Sequence, residues 1–290
     1  MRGESMPKTY NELYIGLSRR LKEAGVEAHA LEAALLVAHA AEKSRAALMA
    51  DLRLYTSPEV EQRVEALAQR RLAGEPAAYI TGSWSFCGLE LTVNENVLIP
   101  RSDTEVLVET ALNLTGKSDS ELRILDLCTG SGCIGCALAH FLPQSHAVLA
   151  DVSESALRVA KENIQRCGLG ARALCITADA LTLPSPRLGS FDLIVCNPPY
   201  IPSAEIPTLD ASVRAYEPLL ALDGGEDGLK FYRSILGGWK SLLRQSGWML
   251  FEVGETQADA VEKQMRLAGL RAIGRAKDSA GFDRVVYGRL

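Results

Sequence analysis

The chain has few of the features that mark membrane, secreted or nucleic-acid-binding proteins. None of its apolar runs approaches the ~18 residues that a membrane helix needs, and its start, MRGESMPKTYNELY, contains no apolar run resembling a signal sequence. Acidic residues outnumber basic ones by 36 to 31, for a formal net charge of −5, which disfavours bulk nucleic acid as the main partner. Seven cysteines, an odd number, do not suggest a disulfide framework in a chain of 290 residues. We therefore expect a cytoplasmic protein with reduced thiols, no membrane segment and no direct nucleic-acid partner.

Histidine is also scarce, and no metal site is predicted. The four histidines do not cluster with acids at the spacing of metal ligands. Cys128, Cys133 and Cys136 have the C-x4-C-x2-C spacing of an iron–sulfur site. They nevertheless occupy a loop and helix start that a cofactor requires, and no fourth ligand has the expected placement. We interpret these cysteines as small buried side chains.

The sequence pattern changes near residue 75, which predicts two domains. From Thr9 to about Leu72 apolar residues recur at helical spacing. Between Tyr79 and Pro100 apolar and polar residues alternate around turn residues, as in a β-hairpin. The predicted organisation is a helical docking domain over 1–78, a hairpin linker over 79–100 and a larger domain over 101–290. The helical stripes comprise Leu13, Leu17 and Leu21 in one helix and Leu31, Leu35, Val37 and Ala38 in the next.

In the larger domain, strand-like and helical segments alternate, which is typical of a parallel sheet covered on both faces. A helix at about 103–114 precedes this alternation. The predicted strands are 123–127, 146–151, 173–177, 191–196, 248–253 and 284–289. The predicted helices are 133–142, 153–167, 227–244 and 256–268. The last strand follows a polar turn at 278–281, so we expect it to be an antiparallel edge.

A glycine-rich loop follows the first of these strands and predicts a nucleoside-containing cofactor. Ligands bind beyond the carboxyl ends of the strands in such a sheet, and glycines let the backbone approach them closely. Asp151 ends the next strand, where its carboxylate can accept hydrogen bonds from both ribose hydroxyls. The glycines also match the dinucleotide pattern G-x-G-x-x-G, so an NAD-dependent dehydrogenase is an alternative. Asp126, however, would repel a pyrophosphate and suits a cationic sulfonium compound. The loop reads Asp126, Leu127, Cys128, Thr129, Gly130, Ser131, Gly132, with Gly135 further on.

The segment Asn197, Pro198, Pro199 and Tyr200 directly follows the strand at 191–196. Consecutive prolines cannot continue a central strand, so the chain must leave the sheet at the edge that carries the glycine loop. Two rigid acceptors, the Asn197 side-chain oxygen and the Pro198 carbonyl, can grip both hydrogens of a planar amide or aromatic amine and aim its nitrogen at a methyl group. The Tyr200 ring can stack on that planar group. Together with the loop, this segment favours S-adenosylmethionine as the cofactor.

These residues resemble the amino-methyltransferases with an (Asn/Asp)-Pro-Pro-(Tyr/Phe) motif, and more narrowly the PrmC/HemK family of release-factor glutamine methyltransferases. The resemblance covers nearly the whole chain. Further similar segments are Gly74-Glu75-Pro76, Tyr79-Ile80, Gly82, the run from Val97 to Glu105, Glu217-Pro218, Ala221–Gly225, Asp227-Gly228, and Glu252-Val253-Gly254 with Gln257.

The resemblance implies an α/β fold: a seven-stranded Rossmann-like class I methyltransferase domain with a small N-terminal helical domain joined by a β-hairpin. It implies methyl transfer from S-adenosylmethionine to the side-chain amide nitrogen (N5) of the glutamine in the Gly-Gly-Gln motif of peptide-chain release factors. By position, residues 128–132, Asp151, Ala180 (after Asp179) and Asn197 would line the cofactor site, and residues 197–200 would hold the glutamine. We expect a monomer.

Three alternatives stay open at this point. Ser102 stands where the family usually has proline, and Arg101-Ser102 is similar to sister enzymes that methylate a glutamine of a ribosomal protein. An adenine N6 nucleic-acid methyltransferase could use the same four-residue clamp, although this acidic chain offers no evident base-flipping domain. A cofactor-binding scaffold without turnover is the alternative outside the enzymes.

Overall fold

The computed structural model describes residues 7–116 and 121–290, which form two compact units. The first unit ends at Gly82 and the second runs from Ser83 to Leu290. Among the residues described, no helix is both long and apolar enough to span a membrane.

The first unit consists of short helices around one apolar core. Its helices are α1 (Tyr10–Glu23), α2 (His29–Ala40), α3 (Arg45–Ala50), α4 (Pro58–Leu72) and α5 (Ala77–Thr81). The predicted stripe of α1 is confirmed, since Leu13, Leu17 and Leu21 are buried. The predicted stripe of α2 is wrong at Leu31, which is 40% exposed, and at Leu35, which is half-buried. Alanines of α2 itself occupy almost every side of the helix, so apolar periodicity did not distinguish its buried face.

The second unit opens with a hairpin of β1 (Ser83–Phe86) and β2 (Leu89–Thr92). Its two turn residues, Cys87 and Gly88, both have positive φ, as a tight hairpin turn requires. The hairpin packs into the core of the second unit through Phe86 and Leu91, which are at most 1% exposed.

The main sheet of the second unit has seven strands in the order β5-β4-β3-β6-β7-β9-β8. The strands β3 to β7 are parallel, and β9 is antiparallel to both of its neighbours. This order and these directions confirm the predicted seven-stranded Rossmann-like fold. The strands are β3 (Arg123–Leu127), β4 (His146–Asp151), β5 (Ala173–Thr177), β6 (Phe191–Cys196), β7 (Leu243–Glu252), β8 (Arg271–Lys277) and β9 (Asp283–Arg289).

Helices cover both faces of the sheet. One core contains residues of α6 (Glu105–Thr115), α7 (Cys133–Phe141) and α8 (Glu154–Arg166), and the other contains residues of α10 (Lys230–Gly237) and α11 (Ala258–Leu267). The short helix α9 (Ala211–Tyr216) lies in the connection after β6. The predicted helix over 227–244 is wrong in length, because the chain turns at Gly238 into a 3₁₀ turn and enters β7 at Leu243.

The edge of the sheet also differs from the prediction. The last strand, β9, is antiparallel as expected, but it lies inside the sheet because β8 forms the edge. The sequence pattern did not reveal β8, whose residues are exposed or half-buried and show no apolar alternation. Its backbone is irregular near Ala272, which has a φ of 46°. Such an irregular, partly charged edge protects a sheet against pairing with other chains.

Candidate active site

The strand order reverses between β3 and β6, and a cavity opens at the carboxyl ends of these strands. Ligands of open α/β sheets bind at such a switch point. The cavity measures about 890 Å³, counting the part open to solvent. Of the predicted site residues, those that line the cavity are Cys128, Gly130, Asp151, Asp179, Ala180, Asn197 and Pro199.

The other predicted residues at the first strand end do not line the cavity but support the glycine loop (residues 128–132). Asp126 is fully buried at the end of β3, and its Oδ2 accepts hydrogen bonds from the Thr129 hydroxyl and, at 2.8 Å, from the Gly135 N–H. Burial raises the pKa of this carboxyl to about 7. Asp126 has no exposed surface and does not line the cavity, so a contact between its carboxyl and the cofactor stays a prediction. Its carboxyl holds the loop to the start of α7.

Two glycines allow the loop to pack tightly on the sheet. Gly132 has a φ of 81°, and a Cβ there would lie 2.9 Å from Leu149 Cδ2. A Cβ on Gly135 would lie 2.8 Å from the same leucine. Thr129 and Ser131 are buried within this packed turn. Cys133 and Cys136 are buried as predicted, whereas Cys128 is half-exposed at a φ of 59° and faces the cavity.

Asp151 lies at the end of β4 and faces the cavity. Its two carboxylate oxygens accept hydrogen bonds from the N–H groups of Gly130 and Ser153, each at 2.9 Å. Burial raises the pKa of this carboxyl. Each oxygen keeps a lone pair for a further donor. The carboxylate therefore fixes the tip of the glycine loop and can still accept hydrogen bonds from a ligand.

The Asn-Pro-Pro-Tyr segment (residues 197–200) leaves β6 beside the glycine loop, as predicted. Asn197 and Pro199 line the same cavity as Cys128 and Gly130, whereas Pro198 does not; both prolines are buried. The Asn197 side chain donates from Nδ2 to the hydroxyl of Thr104 at 3.3 Å. The rigid amide and the glycine loop therefore share one cavity.

Tyr200 is half-buried and is tied down at both ends. Its hydroxyl donates to Glu252 Oε1 at 3.4 Å, and its carbonyl accepts a 2.8 Å hydrogen bond from Gln257 Nε2. Burial and the nearby Glu252 carboxylate raise the pKa of its hydroxyl. The connection after β6 passes so close to Tyr200 that a Cβ on Gly224 would lie 2.7 Å from the Tyr200 Cα. These contacts hold the segment in place at Tyr200.

Comparison with known proteins gives a consistent result over most of the chain. The family profile of the PrmC N-terminal domain matches residues 12–82, and that of the methyltransferase small domain matches residues 102–212. The release factor glutamine methyltransferase of Moorella thermoacetica is 43% identical over 268 residues, which cover 92% of this chain and 93% of that protein. The protein of the same name from Geobacter sulfurreducens is 42% identical over 272 residues, or 93% of each chain.

The chain belongs to the release factor glutamine methyltransferase family. The family resemblance inferred from the sequence is thereby confirmed. The chain is a methyltransferase, and S-adenosylmethionine is its methyl donor. Among solved structures, the hMettl16 catalytic domain in complex with the MAT2A 3′UTR hairpin 6 has a TM-score of 0.57 and 16% identity, and covers 80% of this chain and 82% of its own. That likeness concerns the fold.

The cavity of this glutamine methyltransferase fits a nucleoside-containing cofactor. Glycines and the small Ala180 leave room on one side, and Asp151 offers carboxylate oxygens at the strand end. The Ser131 hydroxyl and Asp126 Oδ1 are buried without a protein partner close to the loop. Among residues 7–116 and 121–290, no group of three or more His, Cys, Asp or Glu side chains is arranged to hold a metal ion.

Further residues of the cavity escaped the sequence-based site prediction. The segment 96–104 contributes Asn96, Val97, Leu98, Pro100, Arg101 and Thr104 to the lining, and the connection after α9 contributes Pro218, Leu220 and Ala221. Glu217 joins these two segments: its buried carboxylate accepts from the Ile99 N–H at 3.2 Å and pairs with Arg101 at 2.5 Å. The similarity of 97–105 and 217–218 to the family was the available signal, but it assigned no role to them.

Proposed function

We propose that this protein transfers the methyl group of S-adenosylmethionine to the side-chain amide nitrogen (N5) of the glutamine in the Gly-Gly-Gln motif of peptide-chain release factors. The observation that carries this proposal is the placement of Asn197 and the glycine loop around one cavity at the switch point of the sheet. Full-length similarity to proteins named release factor glutamine methyltransferase supports the choice of substrate.

The chain's own residues would bind and orient both reactants. Residues 128–132, Asp151, Asp179 and Ala180 would hold the cofactor, which supplies an electrophilic methyl group on a sulfonium. Asn197 Oδ1 and the Pro198 carbonyl would accept the two N–H groups of the glutamine amide and stabilise positive charge on its nitrogen. When bound, the cofactor would supply the methyl group with cleavage of its S–CH₃ bond, leaving S-adenosylhomocysteine, and the amide nitrogen would release one proton to solvent. Tyr200 would flank the planar amide and keep it in line with the methyl group.

We also propose that the N-terminal domain, taken as residues 1–78, docks the release factor, with residues 79–100 as the linker and 101–290 as the methyltransferase domain. A helical unit with exposed apolar side chains suits protein recognition. Such side chains include Ile15, Leu54 and Tyr55, which are 54%, 55% and 70% exposed. We expect the enzyme to act in the cytoplasm, because ribosomes and release factors function there. We also expect it to be a monomer.

A second protein substrate is favoured by one residue. Ser102 begins the 3₁₀ turn that ends at Thr104, beside the cavity. Since Arg101-Ser102 is similar to enzymes that methylate a glutamine of a ribosomal protein, ribosomal proteins are the alternative substrate to be compared.

The test is methyl transfer from radiolabelled S-adenosylmethionine to a panel of acceptors. The panel contains a release factor, the same factor with Gln→Ala in its Gly-Gly-Gln motif, ribosomal proteins and duplex DNA. We expect label only in the intact release factor; label in the ribosomal proteins or in DNA instead would contradict the proposal. Asn197→Ala should abolish transfer and leave most cofactor affinity, and near-normal turnover by this variant would refute the clamp.

A further inference from the structure

Arg101 is a charged residue in the lining of the cavity, and most of its hydrogen-bond donors are unused. Its Nη2 donates to Glu217 Oε1 at 2.5 Å, and its side chain is 40% exposed. A guanidinium has five N–H groups on its three nitrogens. Over residues 7–116 and 121–290, the hydrogen bonds of the Arg101 side chain go to Glu217 alone. The N–H groups on Nε and Nη1 are therefore available to a ligand.

Glu217 fixes the position of this guanidinium. The Glu217 side chain is only 2% exposed, and its Oε2 accepts the Ile99 N–H at 3.2 Å. A buried carboxylate is costly unless it is paired, so it holds its cation firmly. Because a guanidinium is planar and rigid, holding one of its nitrogens also fixes the direction of the others. Arg101 thus offers its unused donors in a defined orientation.

Arg101 lies on the side of the cavity that carries the Asn-Pro-Pro-Tyr segment. The turn that follows Arg101 hydrogen bonds to the Asn197 side chain at 3.3 Å. The stretch that follows its partner Glu217 hydrogen bonds, through the Leu222 carbonyl, to the Ile201 N–H at 3.0 Å. Both chain segments that hold Arg101 are therefore joined to residues in or next to the Asn-Pro-Pro-Tyr segment.

The predicted cofactor contacts lie on the other side of the cavity. Asp151 ends β4 and Asp179 follows β5, and both of these strands lie across β3 from β6. Arg101 is instead placed where the proposed function puts the target glutamine. Only the side chain of that glutamine has to enter the cavity, so the main chain of the acceptor protein stays at the opening. An arginine that lines the cavity and is 40% exposed is suited to this opening.

Main-chain carbonyl oxygens are the groups that such an arginine can recognise in an incoming peptide. A carbonyl oxygen has two lone pairs, and hydrogen bonds from a charged donor are stronger than those from a neutral one. In a Gly-Gly-Gln motif, two of the three residues have no side chain to shield their carbonyl groups. The chemistry of Arg101 therefore matches a glycine-rich peptide that carries a glutamine.

We propose that Arg101 is a substrate-recognition residue, which donates hydrogen bonds to main-chain carbonyl oxygens of the peptide that carries the target glutamine, and that Glu217 is its positioning residue. This role rests on the proposed function for the identity of the peptide. A purely structural arginine would only neutralise the buried Glu217 carboxylate. A lysine could supply that charge, but its single ammonium nitrogen, held by Glu217, could not also reach the peptide.

Arg101→Lys separates these two roles. For methylation of the release factor we expect KM to rise about 10-fold, which corresponds to the loss of a hydrogen bond from a charged donor, while kcat stays within about threefold. The dissociation constant of S-adenosylmethionine should stay within about twofold, and the melting temperature within about 3 °C of the wild-type value. An unchanged KM would leave Arg101 a structural role only and overturn the proposal. A loss of cofactor affinity as large as the rise in KM would also overturn it.

Arg244→Lys is the matched control. Arg244 is 44% exposed and pairs with Asp192 at 2.7 Å, and Asp192 also accepts the backbone N–H of Arg123 at 2.8 Å. This arrangement resembles that of Arg101 and Glu217, but neither Arg244 nor Asp192 lines the cavity. KM, kcat and cofactor affinity should therefore stay close to the wild-type values in this variant. A rise in KM as large as that of Arg101→Lys would contradict a specific role of Arg101.

Direct binding provides a second measurement that does not need turnover. Enzyme saturated with S-adenosylhomocysteine is titrated with the release factor in a calorimeter. Arg101→Lys should weaken binding of the release factor by about 10-fold, and Arg244→Lys should leave it unchanged. Equal affinities in the wild-type protein and Arg101→Lys would refute the recognition role.

The proposed function and the role of Arg101 can fail separately. If the wild-type enzyme labels a ribosomal protein rather than the release factor, the proposed function fails, and the Arg101 comparison is made with that protein. If the wild-type enzyme labels the release factor and Arg101→Lys binds and methylates it with unchanged constants, only the recognition role fails. Label in DNA alone, or in none of the acceptors, would overturn both.

Discussion

The tether between Gln257 and the Asn-Pro-Pro-Tyr segment leads to a quantitative prediction. Gln257 is only 9% exposed. Its Nε2 donates to the carbonyls of Tyr200 at 2.8 Å and Gly228 at 3.3 Å, and its Oε1 accepts from the Gly254 N–H at 3.1 Å and the Tyr232 hydroxyl at 3.3 Å. Replacement by leucine, which is similar in volume, would remove all four hydrogen bonds.

The cost of Gln257→Leu follows from the groups left without a partner. The Tyr232 hydroxyl still donates to the Glu252 carbonyl at 2.9 Å, so its loss is small. The Tyr200 carbonyl and the Gly254 N–H lose their best partners, and each unsatisfied buried group costs about 1–3 kcal/mol. Since these backbone groups are only partly buried, we expect the free energy of unfolding to fall by about 2–4 kcal/mol.

Urea denaturation followed by tryptophan fluorescence would measure this change. All three tryptophans, Trp84, Trp239 and Trp248, lie in the second unit, so the signal reports on the part of the chain that holds the tether. Gln165→Leu is the control, because Gln165 is exposed on α8 and should change stability by less than about 0.5 kcal/mol. A loss below about 1 kcal/mol in Gln257→Leu would refute the reasoning.

The remaining predictions concern the cofactor, backbone packing and pH. Asp151→Ala should weaken S-adenosylmethionine binding by about 10- to 100-fold in calorimetry, because a carboxylate accepting ligand hydrogen bonds is lost; unchanged affinity would exclude that contact. Gly228→Ala should lower stability more than Gly168→Ala: both glycines have a φ of 70°, but only at Gly228 would the Cβ collide, at 2.3 Å from a carbonyl of the Asn-Pro-Pro-Tyr segment. Equal losses would show that φ alone matters. Burial raises the pKa of Glu252 from 4.5 to about 7. Between these pH values the folded protein keeps a proton that the unfolded chain releases. The free energy of unfolding therefore falls as pH rises from about 4.5 to about 7. Glu252→Gln should remove up to about 3 kcal/mol of that decline in urea titrations at pH 5 and pH 8, leaving the part due to Asp126; an unaltered slope would contradict the shift.

Local patterns predicted the elements that bury one clear face or carry strong breakers. The stripe of α1 and the strands β3 to β6 follow from short-range periodicity. The sequence pattern did not reveal β8, because an edge strand buries little and needs no apolar face. The break at Gly238 was missed because the flanking residues suit a helix until tertiary packing turns the chain into β7. Strand order and neighbours depend on contacts between distant segments.

For the site, the sequence by itself determined the chemical groups: a glycine loop, an acid at the end of the next strand, and a rigid asparagine followed by two prolines. These functions need particular residue types at short spacing, so they leave a local pattern. Only the tertiary structure decided that Asp126 supports the loop from beneath, and that Thr104 and Glu252 contact the Asn-Pro-Pro-Tyr segment. The contacts of Thr104 with Asn197 and of Glu252 with Tyr200 join residues 93 and 52 positions apart, and the burial of Asp126 likewise depends on the packing of strands and helices rather than on neighbours along the chain.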